Sequence, residues 1–367
     1  MTKGLERILT LSFGATGNEA NHLGVGWSAD ESGYRWMTGQ ASELWVENPG
    51  PGQDLILELD ASVMVVPPVL TSQKMVVGVR NQGIAQIAMS RPGTLGFHVP
   101  AALIEKPGPV RLLFVHPDFR RPKDLNPDTN DDRELSFSLR ELRLSRVSAR
   151  ERTGPGPELP LDQMMTRFES LGENCEFGLL QRRHGVEPLG LLRFSFIEMV
   201  HLVRGLRHGF PGLGDPGTTE VRVEGVDQEY VVRDTVYGMT YHTWQYRPSI
   251  ALETVQKQQT MRLNFLKRKL MEDVAAAEKI FVVKRGETPL GPEEVLPLYA
   301  ALNDLGQNWL LWVVLADETH PPGTVEILLP GLMRGYVDRF APNNNAPDLS
   351  ANAWTALCIA AWRAAGR

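Results

Sequence analysis

The sequence predicts two domains: an all-β sandwich over residues 1–150, and an α/β domain over residues 163–367 in which helices cover a mixed sheet. Three observations carry this. The chain has 367 residues, more than the ~250–300 that a single hydrophobic core usually serves. Up to Val147 it consists of short alternating or apolar runs separated by Gly, Pro, Asn and Asp, which is how strands joined by turns read. Beyond Leu161, strand-like and helix-like periodicities follow one another, as in sheets covered by helices.

In the first half, strands are expected at Ser42–Val46, Asp54–Asp60, Lys74–Val79, Ile87–Met89, Val110–Val115 and Leu135–Leu144, enough for two packed sheets. The Pro-, Asp- and Asn-rich stretch from Phe119 to Arg133 lacks periodicity and is expected to be a loop. Residues 151–162 contain Gly154-Pro155-Gly156-Pro157 and Pro160, which resist helix and ladder alike, so a linker is placed there. The second half should hold helices from Leu161 and from Glu198, then strands Thr219–Val223, Glu229–Arg233 and Tyr237–Trp244. A long amphipathic helix follows over about Leu252–Ala277, with Leu263, Leu266, Leu270 and Val274 on one face. Strands Lys279–Val283, Trp309–Leu315 and Thr324–Leu329 then alternate with helices near Pro292 and Asn352–Ala365.

Composition removes several functions. Hydrophobic residues make up 42% and charged residues 22%, excluding a disordered or fibrous chain. With 38 Lys+Arg against 44 Asp+Glu the formal charge is −6, so no bulk attraction to nucleic acid exists. Two cysteines build neither a disulfide framework nor a four-cysteine zinc site, and a reducing, cytoplasmic setting is expected. Met1–Phe13, interrupted by Lys3, Glu6 and Arg7, does not read as a signal peptide. No run approaches about 18 apolar residues, so no transmembrane segment is expected.

The segment Arg167-Phe-Glu-Ser-Leu-Gly-Glu-Asn-Cys-Glu-Phe-Gly178 reads as a turn feeding a helix. With Asn174 as cap, Cys175 falls where unpaired N–H groups and the helix dipole favour a thiolate. On local pattern alone the small buried packing residue is the favoured reading of Cys175, and Cys358, among Trp354, Leu357 and Trp362, reads as core. His242 lies in Tyr237-Gly-Met-Thr-Tyr-His-Thr-Trp-Gln-Tyr246, where alternation puts Thr240, His242 and Trp244 on one face. It is the candidate base, with Asp317, Asp234 or Asn174 as the orienting third group. Trp244, Arg193, Asp338 and Arg339 are candidate substrate contacts, whereas Lys267, Arg268 and Lys269 read as a solvated helix face. No Walker A loop, zinc-protease helix or nucleophile elbow is present.

Ser170-Leu-Gly-Glu-Asn-Cys175 and Tyr237-Gly-Met-Thr-Tyr-His242 resemble the landmarks of a bacterial domain-of-unknown-function family described as papain-like cysteine peptidases. The first motif is also similar, more weakly, to the Asn-Cys motif of WcbI-type capsular-polysaccharide biosynthesis enzymes. The resemblance covers roughly Phe168–Ala364 and implies Cys175 and His242 as active groups and a setting in surface-polysaccharide synthesis or modification; no cofactor is expected to be required, with coenzyme A as one acyl donor the weaker similarity offers. Around Gly26–Gly39 and Asp131–Arg140 the chain is similar to β-sandwich modules beside polysaccharide-synthesis domains; there Trp27 and Trp36 offer flat faces for a sugar. The expected function is cysteine-dependent acyl transfer or hydrolysis, the alternatives being a non-catalytic saccharide-binding protein or a glycosyltransferase-like enzyme.

Overall fold

The computed structural model describes residues 3–150, 158–172, 174–286, 288–342 and 345–366. Most of its regular structure is β, in four sheets with few helices. Two compact units divide it, one of Leu5–Ser148 with Gly291–Ala300, the other of Ala149–Leu290 and Ala301–Arg367 with the first four residues. Residues 151–157 of the expected linker, which include Gly154, Pro155, Gly156 and Pro157, lie outside the described residues.

The first unit is a β-sandwich built from β1 (Leu5–Ser12), β2 (Trp27–Glu31), β3 (Tyr34–Thr38), β4 (Ala41–Val46), β5 (Leu55–Val63), β6 (Gln73–Val79), β7 (Gln82–Met89), β8 (Gly93–Val99), β9 (Val110–Val115) and β10 (Leu135–Val147). The expected loop between β9 and β10 carries one helical turn, α1 (Pro122–Leu125), started by a proline whose missing N–H costs nothing there. One sheet runs β2-β3-β10-β5-β8 with β1 also on β10, and the other runs β4-β9-β6-β7. Alternation explains the pairing: along β9, Val110, Leu112 and Phe114 are buried while Arg111, Leu113 and Val115 face outward. Leu57, Leu59, Val77, Phe114, Phe137 and Leu139 fill the space between the sheets. Gly96 in β8 has no side chain because Gly291–Ala300 passes over it; a Cβ there would lie 2.6 Å from Pro297 Cδ.

The second unit contains α2 (Leu161–Met165), β11 (Phe168–Ser170), α3 (Glu176–Arg183), β12 (Ser195–Phe196), α4 (Met199–His208), β13 (Thr219–Glu224), β14 (Glu229–Asp234), β15 (Thr240–Tyr246), α5 (Leu252–Ala276), β16 (Ile280–Val283), the end of α6 (Pro292–Asn303), β17 (Trp309–Leu315), β18 (Val325–Leu329), β19 (Leu332–Val337) and α7 (Ala351–Ala364). Five strands form a sheet in the order β11-β16-β17-β19-β18, every neighbouring pair parallel except β18 with β19. β12-β15-β14-β13 form a separate antiparallel sheet. The later strands therefore make an open sheet and not a barrel. Two expectations shift. β15 starts at Thr240, not at Tyr237, because Asp234 Oδ1 accepts the N–H groups of Val236 and Tyr237 and turns the chain there. β19 was not expected; Gly331, at φ 94°, closes a hairpin that pairs it with β18.

Among the described residues no helix is long and apolar enough to cross a membrane.

Candidate functional site

On the sandwich, the expected sugar-binding tryptophans are held by packing. Trp27 stacks on Phe13 with centroids 5.5 Å apart and donates its indole N–H to the Glu43 carbonyl at 2.7 Å. Half-buried Trp36 meets Tyr34 edge-on. The outer face of the β4-β9-β6-β7 sheet carries a more exposed tryptophan. Trp45, 43% exposed, sits directly across from Arg111 in the β4–β9 register. Arg111 is held flat by Glu43 (3.1 Å) and the Asn81 side chain (2.9 Å). Beside it runs a groove of about 210 Å³ lined by Val76, Gly78, Asn81, Gln82 and Leu113.

In the second unit Cys175 follows β11 and immediately precedes α3. The N-cap of α3 is Cys175 itself and not Asn174 as expected; Asn174 Oδ1 accepts the Glu176 N–H at 3.0 Å in a turn that leads into the helix. Cys175, Gly178 and Arg182 share one helical face. Gly178 must lack a side chain, since a Cβ would lie 2.5 Å from Phe194 Cε1. Arg182 lies over the rings of Phe194 (5.3 Å) and Trp244 (5.6 Å). The half-buried Cys175 thiol is pushed up from its ordinary pKa by burial, with Arg182 pulling the other way. The expected low-pKa thiolate is thus corrected, because loss of solvation outweighs the nearby positive charge. Cys358 is fully buried, and burial pushes its thiol up as well.

His242, exposed on β15, has Nδ1 at 2.9 Å from Glu229 Oε2. Glu229 Oε1 accepts the Trp244 N–H at 2.8 Å, pinning a bulge in which Trp244 takes φ 54°. Nδ1 therefore carries the proton shared with the carboxylate, and Nε2 is left as the basic atom. Among the described residues no hydrogen bond joins Cys175 to His242; Arg182, whose charge acts on the Cys175 thiol, lies over Trp244, two residues beyond His242.

Other expected site residues are placed elsewhere. Asp317 is no partner of His242; it closes a turn through Thr319 and His320 at 2.7–2.9 Å, and those bonds hold its carboxyl well below the usual range. Asp234 is the turn residue described above. Arg193 spends its donors on Gln181, Glu187 and the Gly178 carbonyl, so it braces α3 rather than meeting a substrate. Arg339 ties down Asp348, and Asp338 is exposed at the end of β19. In the loop Ala341–Pro347, residues 343 and 344 lie outside the described residues. Lys267 reaches the Leu213 carbonyl at 2.6 Å, so the basic run is only partly a solvated face.

No family model matches the chain, and no curated protein matches it. Solved structures similar to it include the CBM22-1 xylan-binding domain of Xyn10C from Paenibacillus barcinonensis, at 12% identity over 41% of this chain and all of that one, TM-score 0.29. The C-terminal CBM6 of LamC from Zobellia galactanivorans aligns at 7% identity over 37% of this chain and 98% of that one, TM-score 0.22. The salicylyl-acyltransferase SsfX3 of a tetracycline pathway aligns at 13% identity over 54% of this chain and 58% of that one, TM-score 0.22. None of these scores assigns a family.

Sequence reasoning missed Glu229 and Trp45. Glu229 begins β14, but its reach to His242 depends on the β15 bulge, which leaves no mark in an alternating pattern. Trp45 had a signal: outward-facing positions of β4 alternate with buried Ser42, Leu44 and Val46.

Proposed function

We propose that this is a saccharide-binding protein whose sandwich holds the sugar on the outer face of the β4-β9-β6-β7 sheet. The observation that carries this reading is a half-exposed Trp45 next to an Arg111 already fixed by Glu43 and Asn81. An indole face covers the apolar side of a pyranose, and pre-set polar groups take its hydroxyls without further ordering cost. A glycan array supplies the test. Binding is expected, and Trp45→Ala should weaken it by about tenfold, a loss of ~1.4 kcal/mol, while Trp36→Ala changes little. An array on which the parent binds no saccharide, or Trp45→Ala binds like the parent, removes the reading.

A second reading adds cysteine-dependent acyl transfer or hydrolysis in the other unit, taken as an α/β domain with coenzyme A as a possible donor class. The His242–Glu229 pair favours it, because a buried carboxylate holding an exposed imidazole in one tautomer is what a general base requires. His242 Nε2 would take the Cys175 thiol proton as Sγ attacks an ester or thioester carbonyl, and would pass that proton to the departing alcohol or thiol as its bond to the carbonyl carbon breaks. Saturating p-nitrophenyl acetate should give a burst of nitrophenol that Cys175→Ser abolishes and His242→Ala slows by about 100-fold or more. In Cys358→Ala protein, iodoacetamide should alkylate Cys175 with an apparent pKa above ~8.5, and Arg182→Gln should raise it further. A pKa below that value, or one indifferent to Arg182, contradicts the electrostatics described above.

A further inference from the structure

The antiparallel sheet of the second unit carries a groove that neither proposed activity uses. It has a volume of about 440 Å³ and lies on the face formed by β12, β15, β14 and β13. Val231 and Thr240 line it, and the β14–β15 register sets Val231 opposite His242, so the groove adjoins the His242–Glu229 pair. Phe196 is 47% exposed at one side. The Arg233 side chain lines the groove, is exposed, and makes no hydrogen bond or ion pair among the described residues, its backbone alone being held in the sheet. Its cross-strand neighbour Glu220 pairs instead with Arg222, at 2.5 Å. His201 has Nδ1 2.8 Å from the Tyr237 carbonyl, which only accepts, so its proton sits on Nδ1 and Nε2 remains for a ligand. Glu198 and Glu224 also line the groove.

We infer that this groove binds an acidic saccharide unit, a pyranose bearing a carboxylate or phosphoryl group. A guanidinium with no carboxylate partner supplies the counter-charge and a fork matched to an oxyanion. Phe196 supplies an apolar surface for the ring. Glu224 and His201 Nε2 accept hydrogen bonds from hydroxyls spaced around the ring, a span that a compact inorganic anion does not reach. The negative carboxylates also discriminate against a bare anion, so the ring is needed for binding. The site is independent of the sandwich face, and Trp45→Ala protein should bind here as the parent does.

The experiment is saturation-transfer NMR on the full chain with four probes: glucuronic acid, glucose 6-phosphate, glucose and inorganic phosphate. The acidic sugars should bind at least tenfold more tightly than glucose, and whichever of the two is tighter identifies the oxyanion. Arg233→Gln should bring both to the level of glucose, and Phe196→Ala should remove ring-proton saturation. Thermal unfolding checks that each variant is folded, with Arg222→Gln as a second charge variant should Arg233→Gln be unstable. No saturation by either acidic sugar, an unchanged affinity in folded Arg233→Gln, or inorganic phosphate bound as tightly as the sugars would each overturn the inference.

Discussion

Replacing Lys284 by Met should destabilise the second unit by about 3–5 kcal/mol, the cost of stranding one half of a buried ion pair. Lys284 Nζ lies 2.8 Å from Glu176 Oε2, and the side chains are 4% and 0% exposed. The carboxylate is tied in further: Oε1 accepts the indole N–H of Trp354 at 2.8 Å and the Ala341 N–H at 3.0 Å. Lys284 directly follows β16 and Glu176 opens α3, so the pair fastens the strand end to the helix that presents Cys175. Without the ammonium, Glu176 keeps only the N–H donors of Trp354 and Ala341, both on Oε1, to offset the desolvation of its carboxyl. Adding Glu176→Gln should recover much of the loss, because the amide oxygen can still accept from Trp354 and Ala341 while the uncompensated charge is gone. Urea denaturation with an unchanged slope measures this. If Lys284→Met shifts the midpoint by less than 1 kcal/mol equivalent, or the double variant is weaker than the single one, the pair does not act as described.

Acidification should cost the sandwich roughly 3 kcal/mol through one residue, His116. Its ring is wholly buried between Ser42, whose Oγ lies 2.9 Å from Nε2, and Ser136, whose Oγ lies 2.9 Å from Nδ1. Ser42 already donates to the Gly26 carbonyl, so it accepts from Nε2–H, and the Ser136 hydroxyl donates to Nδ1. A neutral imidazole satisfies this arrangement, and burial pushes its pKa down from 6.5 to about 4. The sign follows from linkage. Above pH 6.5 the ring is neutral whether folded or unfolded and stability is complete. As pH falls the unfolded chain takes up the proton first, and stability drains away until the folded form titrates near pH 4. Equilibrium unfolding of the parent and His116→Gln between pH 7 and 4 isolates the effect from that of other groups. The gap between the two proteins should close by about 3 kcal/mol over that range, and a constant gap would refute it.

Much of the architecture was legible because periodicity reports which side of an element meets apolar neighbours. The β9 run Val110–Val115, the α5 face of Leu263, Leu266 and Leu270, and the apolar run of β17 needed no partner to be recognised. The turn at Asn174 was equally local, one side chain bonding the N–H two residues on, although the N-cap is Cys175 and not Asn174. What pairs with what was not local. That Glu229 rather than Asp317 holds His242 depends on a bulge between two strands; that Arg193 braces a helix depends on groups brought back by a turn. The state of the Cys175 thiol shows the division most clearly. Sequence alone determined that a cysteine stands at the start of a helix, where the dipole favours a thiolate. Only the tertiary structure decided how much solvent the sulfur loses, and desolvation at a half-buried site exceeds the pull of Arg182 and so sets the direction of the shift.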